Sequence, residues 1–340
     1  MNTLRRMILG ALGLTLLVVV FGAYVRLSDA GLGCPDWPGC YGHATPAHAA
    51  PQIQQAESLQ PGGPVSLPKA WKEMIHRYLA ASLGLLIIAI AIQSWRKRRE
   101  PGSAPLVATA LVGVVVFQGL LGKWTVTLLL KPAIVSGHLL GGLTTLALLA
   151  WLGLRASSSG RHRVPAGLLG AARLGLVLLA AQIALGGWTS TNYAALACQD
   201  FPRCHGEWLP DTDFANAFHV VRELGMDADG ELLSQQALTA IHWTHRVGAL
   251  VAGSYLLLLA LLLARRRPLR RHAVALTAAL VAQLGLGVAN VLMSLPLPLA
   301  VAHNAGAALL LLVLVTINHA LVRDPALQPV QGSSNANAYA

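Results

Sequence analysis

Cys34-Pro-Asp-Trp-Pro-Gly-Cys40-Tyr-Gly42 returns in the second half of the chain as Cys198-Gln-Asp-Phe-Pro-Arg-Cys204-His-Gly206. Aligned over residues 22–42 and 186–206, the copies are identical at eight of 21 positions, among them both cysteines, Asp36/Asp200 and Pro38/Pro202. Two histidines in apolar sequence follow each copy. His76 and His138 in the first half answer to His245 and His303 in the second, at offsets of 169 and 165 residues. Chance does not place so many chemistry-bearing residues in register, so the chain reads as a tandem repeat.

The composition says where such a repeat folds. Of 340 residues, 55% are hydrophobic and only 11% charged, which excludes an ordinary soluble domain of this length. A spanning helix needs about 20 mostly apolar residues. The apolar runs predict eight, at residues 7–25, 74–95, 105–124, 133–154, 168–188, 240–264, 273–293 and 299–320. The expected fold is an all-α membrane protein: eight transmembrane helices as two tandem, pseudo-symmetric four-helix bundles. The N-terminal half covers residues 1–155, a polar linker 156–165, the C-terminal half 166–324, and a Gln/Asn/Ser/Ala-rich tail 325–340 is expected to be disordered. Two stretches of the long loops, Thr45–Pro68 and Asp211–Gln236, are expected to form small amphipathic helices.

Arg5 and Arg6, Arg96 to Arg99, Arg155/Arg161/Arg163, Arg265 to Arg271 and Arg323 fall in alternate connections. The positive-inside rule makes those connections and both termini cytoplasmic, and turns the long cysteine-bearing loops outward. A basic inner face meeting anionic lipid also accounts for the net charge of +11 without nucleic acid. The apolar run after Arg5 and Arg6 resembles a signal peptide, but no small-x-small site follows Phe21 and the repeat pairs this run with helix 168–188. It reads as a retained first helix.

A histidine inside a bilayer is costly unless it pairs, titrates or binds something. His76 and His138 each lie shortly inside a helix running from the outer to the inner side, at similar depth, and His245 and His303 repeat the arrangement. Facing imidazoles in a bundle core form an axial pair for heme iron, with interhelical hydrogen bonding as the plainer alternative. His242 precedes His245 by one turn and competes as a ligand, but His245-Arg246 matches His76-Arg77, so His242 corresponds to Glu73 and is assigned to the pocket wall. His43, His48, His162, His205, His219, His272 and His319 fall in loops or near helix ends and are expected to be solvated or locally bonded.

The halves differ where they matter most. Glu73 puts a carboxylate three residues before His76 on the same helix face, where the second half has His242. Lys123-Trp124 follows Gln118, whereas Val288-Ala289 follows Gln283. Such divergence predicts one site for chemistry and one for electrons. Arg26, Arg77 and Arg246 near the outer helix ends are candidate partners for heme propionates, with interfacial anchoring as the alternative. All four cysteines lie in outward loops, where oxidised pairs are expected. Short local closure favours Cys34–Cys40 and Cys198–Cys204. A metal site built from Cys198, Cys204 and His205 is the rival, although its spacing is wide for zinc.

Taken together, the Gly-Leu-Gly-Cys34-Pro-Asp-Trp-Pro loop, Glu73-x-x-His76-Arg77, Ser136-Gly137-His138, His245-Arg246 and Ala302-His303-Asn304 closely resemble the heme A synthase family, over residues 1 to about 322. The resemblance implies a multi-pass enzyme of the bacterial inner membrane that oxidises the C8 methyl of heme O to a formyl group, yielding heme A for terminal oxidases. It implies a heme b cofactor, its iron held by His245 and His303, and substrate heme O between His76 and His138, with Glu73 as the catalytic carboxylate. Heme O synthase, terminal oxidase assembly and a second copy of the chain are the candidate protein partners. The competing reading is a non-catalytic diheme cytochrome carrying electrons between quinone and an external partner on the same four histidines. A duplicated transporter is a third, disfavoured because the halves share one orientation and lack broken helices around a midplane site.

Overall fold

The structure is a computed structural model, and it describes residues 3–100, 102–157 and 160–323. The helices long and apolar enough to cross a membrane number eight among these residues: α1 (Thr3–Leu27), α3 (Leu67–Arg96), α4 (Pro105–Thr127), α5 (Pro132–Arg155), α6 (Ala166–Thr191), α8 (Gln235–Ala264), α9 (Arg270–Leu292) and α10 (Leu297–Ala320). Two short helices lie in the long connections, α2 (Ala50–Leu59) before α3 and the four-residue α7 (Phe214–Ala217) before α8. Both fall in the polar stretches expected to be helical. The tail from Pro325 to Ala340 lies outside the described residues.

Several helices outrun the apolar runs that announce them. α3 begins at Leu67 rather than near residue 74, because the Ser66 hydroxyl accepts the Lys69 N–H and Pro68 sits in the first turn, where its missing N–H costs nothing. Ser234 caps α8 on the Ala237 N–H in the same way. α3 thus begins about two turns and α8 about one and a half turns before its apolar segment, and His76 and His245 lie deeper in their helices than hydropathy suggests.

Packing follows a simple order. α1 contacts α3, α3 contacts α4, α4 contacts α5 and α5 returns to α1; α6, α8, α9 and α10 close a second ring in the same sequence. The rings meet through α1 on α10, α5 on α10 and α5 on α6. Leu143, Leu146, Leu179, Ile183, Leu256, Leu259, Leu311 and Leu314 belong to one buried cluster spanning this seam, while Ile8, Ile87, Ile90, Leu111 and Leu149 form a second within the first ring. The linker does not run free. His162–Val164 (β1) pairs in parallel with Leu321–Arg323 (β2), tying the start of the second ring to the end of the last helix. His319 just before β2 is buried and edge-on to Trp151 at 5.1 Å, with neither ring nitrogen bonded, contrary to the expectation of a solvated or locally bonded side chain.

The helices of each ring reverse by the same devices. At the short turns, Leu129 and Leu130, like Ser294 and Leu295, adopt left-handed backbone conformations. The Leu130 N–H donates to Thr125 and the Leu295 N–H to Asn290. Non-glycine residues rarely sit at positive φ, and here hydrogen bonds to the preceding helix end hold them there.

Candidate heme site

All four histidines stand at the end of the molecule that bears the long loops, and each ring lies against a glycine of the next helix. A Cβ at Gly22 of α1 would come within 2.8 Å of Cε1 of His76, and one at Gly122 of α4 within 3.4 Å of Cε1 of His138. Gly186 of α6 would meet His245 at 3.0 Å and Gly287 of α9 would meet His303 at 3.2 Å. The rings therefore occupy space that only a missing side chain leaves open. His76 lies within electrostatic reach of His138, and His245 of His303. The rings are half-buried. Nδ1 of His76, His138 and His303 is enclosed without a hydrogen-bond partner.

Glutamines line the same spaces. Gln118 leans over Gly141 and Gln283 over Gly306, each amide filling the place of the absent Cβ. Gln283 Nε2 lies 3.4 Å from Nε2 of His303. Gln182 of α6 leans over Gly248 and sets its Nε2 3.0 Å from both Nδ1 and the carbonyl oxygen of His245. Phe21 stacks beside His76 at 6.5 Å. Paired imidazoles set against bare glycine backbone fit a heme; among the described residues, no group of three or more His, Cys, Asp or Glu gathers to hold a free metal ion instead.

Above each ring sits its cysteine loop. Cys34–Cys40 and Cys198–Cys204 are disulfides, each with a Cα–Cα distance of 4.9 Å. The second bond consumes the thiols that a zinc site with His205 would need. Asp36 accepts the N–H groups of Tyr41 and Gly42, and Asp200 those of His205 and Gly206, which orders a turn whose residues stand at positive φ. The Trp37–Pro38 and Phe201–Pro202 bonds are both cis. In the first loop Gly33 passes so close to α3 that a Cβ there would lie 2.7 Å from the backbone N of Ala70.

Glu73 and His242 anchor these loops. Glu73 is buried, accepts the Cys34 N–H at 3.0 Å and pairs with Arg77. His242, also buried, accepts the Cys198 N–H on Nδ1 at 3.2 Å; its Nε2, which then carries the ring proton, lies 3.3 Å from Nε of Arg246. Arg77 further donates to the carbonyls of Asp36, Pro38 and Gly39, and Arg246 to those of Cys198, Asp200 and Arg203. Arg77 and Arg246, two of the three arginines expected beside propionates, thus also hold the loops. Arg26 joins the rings: it donates to the Tyr193 hydroxyl at 2.9 Å and to the Ser190 carbonyl, with its guanidinium 4.3 Å from the Tyr193 ring centre. Lys131–Glu223 and Ser136–Thr191 add further ties between the rings.

Sequence reading missed the glycines and Gln182. Gly22 and Gly186 are identical columns of the repeat, and Gln118-x-x-x-Gly122 matches Gln283-x-x-x-Gly287, so the signal was present. An open cleft of about 560 Å³ beside the second loop, lined by Leu196, Gln199, Asp200, His205 and Gln235, includes none of the four paired histidines.

The chain matches known proteins over nearly its whole length. A profile described as COX15-CtaA, cytochrome oxidase assembly protein, covers residues 5–315. A heme A synthase of Shewanella oneidensis is 45% identical over 315 residues, 90% of this chain and 93% of that protein. Heme A synthases of Sphingopyxis alaskensis, 30% identical over 82% of this chain and 80% of that protein, and of Shouchella clausii, 31% identical over 67% and 72%, are also similar. A whole-length profile match and such close relatives leave one assignment: the chain belongs to the heme A synthase family.

Proposed function

We propose that the chain is a heme A synthase, an oxidoreductase that converts the C8 methyl of heme O to a formyl group and supplies heme A to terminal oxidases. The carrying observation is the set of four histidines, each seated on a neighbour's glycine, in a chain 45% identical to a heme A synthase over 90% of its length. The diheme cytochrome reading finds no support among the relatives. Heme O is the substrate, held between His76 and His138; heme b is the resident cofactor, its iron held by His245 and His303. A farnesylated porphyrin partitions into lipid, and a pocket between bundle helices receives it directly from the bilayer.

The two rings are read as a tandem, pseudo-symmetric duplication, residues 1–155 and 166–324. Their matching packing order, loops and turns support this. The alternate basic connections support cytoplasmic termini and heme sites toward the periplasm of an inner membrane. Heme O synthase, the oxidase assembly and a second copy of the chain remain the proposed protein partners.

Taking a methyl to a formyl group adds one oxygen atom and removes four electrons and four protons, as in R–CH3 + H2O → R–CHO + 4 H+ + 4 e−; heme b, when bound by His245 and His303, would supply one-electron redox chemistry. The protein positions the substrate through its paired imidazoles and shields its edge with the clamped loop. Glu73 is the proposed proton acceptor, one helical turn from His76.

Pigment analysis tests this. Protein purified from cells with a heme O source should carry heme b together with heme O or its oxidation products, and heme b alone without that source. His76→Ala should keep heme b and yield no heme A; His245→Ala should lose heme b. Heme b as the only pigment under both conditions would return the assignment to a cytochrome.

A further inference from the structure

Two residues after the glycine that seats His76 or His245 stands an aromatic side chain, and in both rings a cation lies over it. The cations come from different elements. Gly22 and Gly186 occupy one column of the repeat, so Tyr24 corresponds to Trp188; His76-Arg77 and His245-Arg246 correspond, so Lys72 answers to Ile241. In the first ring Lys72, four residues before His76 on the same face of α3, sets its Nζ 4.9 Å from the Tyr24 ring centre, and Tyr24 packs on the Phe21 ring that stacks beside His76. In the second ring Ile241 is buried in an apolar cluster with Ala194, Ala217 and Ala240. The cation over Trp188 is instead Arg222 of the long loop, its guanidinium carbon 5.6 Å from the ring centre.

Arg222 is only 5% exposed. It donates to the Met226 carbonyl, to the side-chain oxygen of Asn192 at 2.6 Å and to the Ala217 carbonyl, while its Nε is enclosed without an acceptor. These neutral oxygens satisfy N–H groups and leave the charge unmatched. Asp227 acts on Arg222 from a distance, but among the described residues no carboxylate forms an ion pair with either Arg222 or Lys72. A guanidinium withdrawn from water without an anion is costly. Two rings that reach the same cation–aromatic arrangement by separate routes point to a common anion beside each histidine pair, and a heme brings such anions in its propionate carboxylates.

We propose that Lys72 in the first ring and Arg222 in the second bind heme propionates at the loop-bearing end of the two sites. The proposal rests on the heme assignment above and adds the side chains that hold each porphyrin by its acidic edge.

Esterified heme tests this, because a dimethyl ester keeps the iron and the ring and removes both carboxylate charges. Binding to the purified full-length protein is followed at the Soret band, with heme b in a His76→Ala background for the second ring and heme O in a His245→Ala background for the first. Each parent should bind the free acid about 10- to 100-fold more tightly than its ester, the worth of a charge-assisted hydrogen bond. Arg222→Leu and Lys72→Met should each remove most of that preference in its own ring and leave it intact in the other, and Arg222→Lys should restore part of it. A substitution that only loosened the fold would weaken acid and ester alike and keep their ratio. Parents that bind acid and ester equally would overturn the proposal without any variant, so this arm decides if Arg222→Leu does not accumulate. A preference that survives a substitution would overturn the assignment of that residue and return the carboxylates to Arg26, Arg77 or Arg246. Parents that bind no bis-imidazole heme would overturn the functional reading as well.

Discussion

Position 73 and position 242 do the same mechanical work with different chemistry. Each accepts the backbone N–H of the first cysteine in its loop, and each touches the arginine one turn further on. An imidazole suffices in the second ring, so the loop needs an acceptor of the right reach rather than a charge. The carboxylate at position 73 is therefore not explained by architecture, and burying one costs several kcal/mol unless it is paired. Arg77 supplies the pairing. The comparison separates what Glu73 shares with His242, holding a loop, from what it does not share, offering a carboxylate one turn from His76, the histidine proposed to hold the substrate.

The sharpest way to challenge that separation is exchange. Glu73→His should leave the first loop clamped and the protein folded, yet lower heme A formation by about 100-fold or more, the usual contribution of a positioned proton acceptor. Heme A formation close to wild type, measured by chromatography of extracted pigment, would mean that Glu73 is an anchor only. The reciprocal His242→Glu should leave turnover within a few-fold.

Disulfide removal probes the loops at a lower level. Closing so short a loop contributes about 2 kcal/mol by the chain-entropy estimate, so Cys34→Ser/Cys40→Ser and Cys198→Ser/Cys204→Ser should lower thermal stability in detergent by similar amounts. A loss of activity in the first pair well beyond the shared loss of stability would give Cys34 and Cys40 a redox task that Cys198 and Cys204 lack.

The smallest effect expected is acid sensitivity at Asp200. The N–H groups of Gly206 and His205 hold its carboxyl below the ordinary aspartate value. A group lowered in the folded state stabilises fully above its unfolded pKa of about 3.9 and loses that contribution as pH falls through the folded value. Thermal unfolding followed from about pH 6 down to about pH 3 should show wild type converging on Asp200→Asn at the acid end. Parallel curves would remove the carboxylate from the stability of the second loop.

Much of this was legible in the chain. Eight spans, the four histidines, both disulfides and the equivalence of Glu73 with His242 all follow from local hydropathy and from matching one half against the other. Helix starts were less legible, because Ser66 and Ser234 cap beyond the apolar runs that mark a span. The loop contacts of Arg77 and Arg246 were not legible at all. A guanidinium at a helix end satisfies a propionate or a run of loop carbonyls equally well, and only the path of the loop brings Asp36, Pro38 and Gly39 within its reach.

Periodicity and repetition act on residues near in sequence or at one fixed offset, so the amino-acid string was enough to establish how many apolar spans there are, which residues answer to which, and what chemistry the histidines invite. The seating of each ring on a glycine, the amide that reaches His245 and not His76, and the Arg26–Tyr193 tie between the rings were settled by contacts between distant segments. Those depend on where helix surfaces meet in space, which no count of residues along the chain contains.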